Sequence, residues 1–227
     1  MSGAAAGPEA SARAAMELVE DGQTLGLGTG RAAAAFVRAL GEAVAGGLRV
    51  TGVPTSNATA QQAAELGIPL LPLEQAGQLD ITFDGADEVD PKLDVIKGYG
   101  GALVREKIVA ASSDRLVILV GAEKLVATLG GRGKLPVEVL PFGESLARRR
   151  LSALGCDPVL RMTQSDEPYL TDNANRILDC QVSSIPQPAS LEAEILAIPG
   201  VLGTGLFVEM ADTVIVQDGD RVDVKRR

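Results

Sequence analysis

Histidine and tryptophan do not occur in this chain of 227 residues, and cysteine occurs twice, as Cys156 and Cys180. Without imidazole there is no serine–histidine triad, no cysteine–histidine dyad and no histidine-ligated zinc. Proton transfer is left to aspartate, glutamate, lysine, tyrosine or cysteine. Two thiols cannot make a four-thiolate site or a dense disulfide framework, and they point to a reducing, cytoplasmic compartment. Long apolar runs are missing too: none approaches the ~20 residues of a membrane span. The N-terminus carries neither a basic start nor a continuous apolar signal core, so no membrane association is expected. Met1 to Gly7 read as frayed chain. Basic residues are the minority, and the formal net charge of -9 opposes nucleic-acid binding, whose phosphate contacts come from a basic face. An anionic small molecule remains admissible wherever lysines or arginines cluster locally.

What is present is ample apolar content, 46% of residues, enough for a proper core. The first half alternates strands and helices in the manner of a parallel sheet flanked by helices. A helix over 10–20 precedes a strand at Thr24–Leu27; Phe36, Val37, Leu40 and Val44 mark a helix over 32–44, stopped by Gly46 and Gly47. A strand over 48–53, a helix over 58–66, a short strand over 68–71 and a buried strand over 79–83 follow. A helix over 102–111 and a strand over 115–120 complete the pattern. Near Gly130-Gly131-Arg132-Gly133 the texture changes to short strands punctuated by prolines, with helices at 144–154 and 191–197, which suggests a smaller α+β domain. The last strands, around Asp218-Gly219, carry a hairpin signal. The run Arg148-Arg149-Arg150 reads as a solvated helix face, because consecutive helical residues point about 100° apart.

The most informative stretch is Asp84-Gly85-Ala86-Asp87-Glu88-Val89-Asp90, followed by Ile96-Lys97-Gly98-Tyr99-Gly100-Gly101 and Arg105-Glu106-Lys107. Its acids fall at the carboxyl end of an apolar strand, where open α/β sheets hold ligands. The glycines, Gly85 among them, imply backbone pressed close to something. Asp84, Asp87 and Glu106 are the candidate acids and bases, and Lys97 and Lys124 the candidate cations. Asp84, Asp87 and Asp90 offer oxygen ligands at short spacing, but the loop lacks the calcium-hand pattern and includes a lysine unwelcome in a cation site, so no metal is expected.

Gly26-Leu27-Gly28-Thr29-Gly30 follows the first strand and opens a helix, the setting of a phosphate-binding turn. A dinucleotide fingerprint fails, because Arg31 stands where glycine or alanine is needed and the second strand ends in Thr51 to Ser56 without a ribose-binding acid. A phosphate monoester fits better, with helix-start N–H groups, the Thr29 hydroxyl and the Arg31 guanidinium as donors. The polar run Pro54 to Thr59 ends the second strand on the same sheet edge. Together these parts suit proton abstraction beside a carbonyl: a glutamate shuttles the proton and a lysine ammonium stabilises the enediolate oxyanion. Aldose–ketose isomerisation of a sugar phosphate is such a reaction.

These residues resemble ribose-5-phosphate isomerases of the A type. The resemblance is collinear and spans the chain: Gly26–Gly30, Pro54–Ser56 with Thr59, Phe83–Pro91, Ile96–Gly98, Gly100–Leu103, Arg105–Ile108, Pro136–Val139, Thr171–Asn173 with Ile177–Asp179, and Ile198–Gly200 with Gly205–Phe207. It implies interconversion of ribose 5-phosphate and ribulose 5-phosphate in the pentose phosphate pathway, without metal or organic cofactor. It further implies Glu106 as general base, Asp84 and Asp87 as sugar-binding acids that assist ring opening, Lys97 as the enediolate-stabilising lysine and Lys124 as a ligand-binding lysine. Substrate contacts are expected from Thr29, Gly30, Arg31, Ala32, Ser56, Gly85, Ala86, Gly98, Tyr99 and Gly100. The implied fold is α/β, a Rossmann-like larger domain with a mostly parallel sheet over 1–130 and 208–227 and a smaller ferredoxin-like α+β domain over 131–207, assembled as a homodimer or homotetramer.

The chain departs from the family pattern at three places. Arg31 and Ala32 replace two hydroxyl residues, Tyr99 replaces a glycine, and Pro8-Glu9 stand near where a lysine approaches the phosphate. Arg31 is a candidate to restore that charge through a bidentate grip; Tyr99 is a candidate to narrow the sugar pocket. The rival reading is a non-catalytic sugar-phosphate-sensing domain, which would need a DNA-reading module that the sequence does not offer.

Overall fold

A computed structural model describes residues 7–227, so residues 1–6 of the stretch expected to be frayed lie outside it. The described chain forms two compact units, one of residues up to Ala86 with Arg105–Lys124 and Glu209–Arg227, the other of Asp87–Val104 and Leu125–Val208.

The first unit is an α/β layer. Its strands are β1 (Thr24–Leu27), β2 (Thr51–Pro54), β3 (Leu79–Gly85), β6 (Ser113–Gly121), β12 (Thr213–Asp218) and β13 (Arg221–Arg226), in the sheet order β13-β12-β6-β3-β1-β2. All pairings are parallel except the β12–β13 hairpin, which turns at Gly219 with φ 60°. Its helices are α1 (Glu9–Met16), α2 (Arg31–Ala45), α3 (Asn57–Glu65), the single turn α4 (Leu73–Ala76) and α5 (Leu103–Ala111) from Arg105 onward. Helix α2 buries Phe36, Val37 and Leu40 on one face, and these join Leu25, Leu27, Ile81, Phe83, Val117 and Leu119 in one core. The Phe36 and Phe83 rings stack with centroids 4.2 Å apart.

Three expectations shift here. The first helix ends at Met16, where Leu18 and Val19 N–H groups turn back to Ala15 and Met16 in a tight last turn. Strand β2 starts at Thr51 because Arg49 is committed to Asp21, through its side chain and its N–H. The short strand over 68–71 is reduced to one bridge, Leu70 to Gly52, since Pro69 and Pro72 remove ladder donors on either side.

The second unit holds β4 (Glu88–Val89), β5 (Val95–Ile96), β7 (Lys134–Val139), α6 (Glu144–Ala153), β8 (Asp157–Leu160), β9 (Arg176–Gln181), α7 (Pro188–Leu196), β10 (Val201–Thr204) and β11 (Leu206–Phe207). The order β7-α6-β8-β9-α7-β10 with the antiparallel sheet β10-β7-β9-β8 is the ferredoxin-like βαββαβ arrangement. Leu135, Val137, Val139, Leu178 and Cys180 point from the sheet into a core shared with Ala147, Leu151 and Ile195 of the two helices. Cys156 and Cys180 are buried there as free thiols. Arg149 and Arg150 are exposed, while Arg148 pairs with Glu144 at 3.1 Å.

Contacts therefore divide the chain differently from its sequence texture. Asp87–Val104 groups with the smaller unit because β4 and β5 form a three-stranded sheet with β11. Residues 125–130 do so because Val126 N–H reaches Val89 O, and because the buried Glu88 carboxylate accepts the N–H groups of Gly130 and Arg132 at 2.6 and 2.7 Å. No helix among the described residues is long and apolar enough to cross a membrane.

The Phe36–Phe83 stack is the test of this packing. Phe36→Ala should destabilise the protein by about 3–5 kcal/mol through lost burial and the cavity left behind, read as a lowered denaturation midpoint.

Candidate active site

In the larger sheet, β2 lies on one side of β1 and β3 on the other, so the strand order reverses between β1 and β3. A crevice opens outside the carboxyl ends of the strands at such a point. Gly28 and Asp84 stand there. Gly28 N–H donates to Phe83 O at 2.9 Å; Thr29 N–H and Gly85 N–H both donate to Asp84 Oδ1, at 3.1 and 2.7 Å. A side chain at position 28 would run into the Asp84 carboxylate and lie 2.6 Å from its Cα, so only glycine lets the two strand ends meet this way. The Asp84 carboxylate, 1% exposed, is thereby held in one orientation.

Four hydroxyls gather beside it. Thr29 Oγ1 lies 2.8 Å from Thr55 Oγ1, donates to Ser56 Oγ at 2.8 Å, and lies 3.2 Å from Thr59 Oγ1. Ser56 is the N-cap of α3, accepting Thr59 N–H at 3.1 Å, and Thr59 Oγ1 donates back to Gly28 O at 2.9 Å. Gly30, at φ 103°, caps the 15-residue α2, with Arg31 exposed at its first position and Ala32 partly buried behind it. First-turn N–H groups have no intrahelical acceptor, and the helix dipole adds positive potential, so this end suits an anion. Thr55 and Thr59 were legible as part of a polar run, but membership of one cluster with Thr29 comes only from the β1–β2 pairing.

Glu106 stands on α5, 4% exposed. Its neighbour Arg105 donates to Asn57 Oδ1 at 3.1 Å. Lys124 ends the 3-10 turn Ala122–Lys124 directly after β6, half-buried. Thus Thr29, Gly30, Arg31, Ala32, Ser56, Asp84, Gly85, Ala86, Glu106 and Lys124 all belong to the first unit.

Asp87, Lys97, Gly98, Tyr99 and Gly100 belong to the second. Lys97 follows β5 with 2% exposure; its N–H donates to Gly205 O at 2.8 Å and its Nζ sits 5.6 Å from the centre of the Phe207 ring. A Cβ on Gly205 would strike Lys97 O, which explains a glycine far along the chain. Gly98 adopts φ 104° and Gly101 φ 91°, backbone that side chains rarely allow. Asp87 Oδ2 accepts Tyr99 N–H at 3.0 Å. The Tyr99 hydroxyl donates to Lys134 O at 3.2 Å while Lys134 Nζ lies 4.8 Å over the ring. Burial, then the carboxylates of Glu88 and Asp87, push the phenol above its ordinary range, so Tyr99 acts as a donor and not as a base.

The first unit supplies a helix start suited to an anion, an oriented carboxylate and a buried glutamate, and the second supplies a buried ammonium. Residues 51–221 match the family model of ribose 5-phosphate isomerase A (phosphoriboisomerase A). The chain is 53% identical over 217 residues to a ribose-5-phosphate isomerase A of Gloeobacter violaceus, covering 95% of this chain and 94% of that protein. Its backbone matches the solved ribose 5-phosphate isomerase A of Methanocaldococcus jannaschii with a TM-score of 0.93 at 39% identity, over 97% of this chain and 98% of that one. It matches equally, at TM-score 0.93 and 37% identity over 97% of each chain, a D-ribose-5-phosphate isomerase solved in complex with phospho-erythronic acid.

Gly28→Ala should force β1 and β3 apart at Asp84, costing about 1–3 kcal/mol as overpacking does. A melting temperature equal to the parent's would show that the two strand ends do not depend on glycine.

Proposed function

Because this chain belongs to the ribose 5-phosphate isomerase A family, we propose that it interconverts D-ribose 5-phosphate and D-ribulose 5-phosphate through an enediolate, with Glu106 carrying the proton. The phosphate binds at the start of α2, against helix N–H groups, the Thr29 hydroxyl and the Arg31 guanidinium. Asp84 and Asp87 hold sugar hydroxyls and assist ring opening. Glu106 removes the proton from the hydroxyl-bearing carbon next to the aldehyde, and the electron pair moves onto the carbonyl oxygen. Lys97 and Lys124 balance the negative charge of ligand and enediolate. The same carboxyl then returns the proton to the neighbouring carbon, while the remaining hydroxyl proton shifts between the two oxygens and leaves a ketone.

The observation that carries this reading is a buried glutamate on α5 within a chain of this family, in a sequence with no histidine to serve instead. Burial supports it physically, since a developing oxyanion and a lysine ammonium attract each other more strongly away from water, and Lys97 is as buried as Glu106. The orientation of Asp84 by two N–H donors supports its role as a hydrogen-bond acceptor for the sugar. The reaction needs no metal or organic cofactor in this scheme, and we place the enzyme in the cytoplasm as a homodimer or homotetramer.

A coupled assay for ketose formation from ribose 5-phosphate, run with a chelator present, tests the whole reading; no turnover there would exclude it. Glu106→Gln should lower kcat by about 10²–10⁴-fold, the range of a lost general base, with an unchanged melting temperature. Near-parental turnover in that variant would assign the base elsewhere. Arg31→Ala should raise KM about 10-fold with kcat nearly constant, as expected for a charge-assisted phosphate contact of about 1.5 kcal/mol. An unchanged KM would remove Arg31 from the phosphate seat.

A further inference from the structure

The loop that bears Lys97 cannot hold its shape by local preference, since Gly98 at φ 104° and Gly101 at φ 91° are both in the left-handed half of backbone space. Something else in the second unit must hold it. The Gly98–Tyr99 peptide is gripped at both ends: its N–H, from Tyr99, donates to Asp87 Oδ2 at 3.0 Å, and its C=O, from Gly98, accepts Arg161 Nη1 at 3.0 Å. The same Nη1 also donates to Tyr99 O at 3.1 Å. The opposite edge of the guanidinium, Nε and Nη2, is locked onto both oxygens of Asp179 at 2.9 and 2.5 Å, with each side chain 11% exposed. Asp179 also takes Lys134 Nζ at 3.0 Å, the ammonium that lies over the Tyr99 ring. Arg161 itself extends the edge of the ferredoxin-like sheet, its N–H bonded to Ile177 O at 2.9 Å.

We propose that Arg161, fixed by Asp179, is a positioning residue for the isomerisation. It sets the orientation of the Gly98–Tyr99 peptide, and through that peptide the placement of Lys97. The inference rests on the assignment of Lys97 to the sugar above. The planar fork of arginine is what the place requires. One edge must meet a carboxylate in two parallel bonds while the other corner meets two carbonyl oxygens, and a lysine ammonium, a single compact charge, cannot do both. Without the fork the peptide is free to rotate, and both of its flexible glycine neighbours allow it.

Arg161→Lys keeps the charge beside Asp179 and removes the fork. It should lower kcat about 10–100-fold, the scale of a misplacement by about 1 Å, with KM changed less than about threefold. The decisive measurement is a cycle with Lys97→Met. If Arg161 acts through this loop, Arg161→Lys should cost less than about threefold once Lys97 is gone, because effects routed through one group are not additive. A merely structural arginine would impose the same loss in both backgrounds, and that additive result overturns the clamp. So does parental kcat in Arg161→Lys. Parental turnover in Lys97→Met alone is a separate outcome: it removes the lysine from the chemistry and the clamp's purpose with it. Should Arg161→Lys fail to fold, Asp179→Asn, which keeps the shape and frees the guanidinium, must reproduce the kcat loss, and parental kcat there overturns the proposal.

Discussion

The carboxylate of Asp84 receives two backbone N–H groups on one oxygen, from the end of β1 and from the residue after itself on β3, and the sheet edge is organised around that contact. It requires Gly28, because any side chain there would occupy the carboxylate's place. Gly28 in turn offers its carbonyl to Thr59, which ties the cap of α3 and the hydroxyl cluster to the same point. A helix start suited to an anion, that of α2, and a fixed acceptor at the end of β3 thus meet at one close approach, made where the strand order reverses.

The second unit solves a different problem. There the sheet is antiparallel, and the loop after β5 carries glycines at positive φ that leave it without intrinsic shape. Order is imported from the sheet face opposite the helices, where Lys134 and Asp179 stand, with Arg161 completing the network. Charged groups this little exposed are costly unless paired and hydrogen-bonded. Here the corner of the guanidinium left over from the pairing, Nη1, donates to the carbonyls of residues 98 and 99.

Much of this was legible in the residue order. The alternation of apolar strands with helical stripes marked the α/β half, and the shortened strands and prolines after residue 130 marked the ferredoxin-like half, because period and turn chemistry are local properties. The motif block from Asp84 to Lys107 carried the candidate site. Reading failed where a local pattern met a distant partner. The apolar run over 68–71 lost its strand to two prolines, and Asp87–Val104 joined the second unit through pairing with β11, more than a hundred residues on. The run Arg148–Arg150 reads as a solvated helix face, and Arg149 and Arg150 are exposed; the arginine that grips the loop is Arg161, isolated in sequence and 63 residues from Gly98.

Residue order alone was enough to establish the class of chemistry, since the absence of histidine, the glycine-bounded acids and the Arg-Glu-Lys block are properties of the string. It was also enough for the alternating layers and the family, because both are written in short, contiguous patterns. Which N–H groups meet Asp84, which hydroxyls cluster with Thr29 and which cation bonds the Gly98–Tyr99 peptide depended on the folded chain. Those contacts join residues tens of positions apart, and their geometry comes from strand register and packing, which no local pattern encodes.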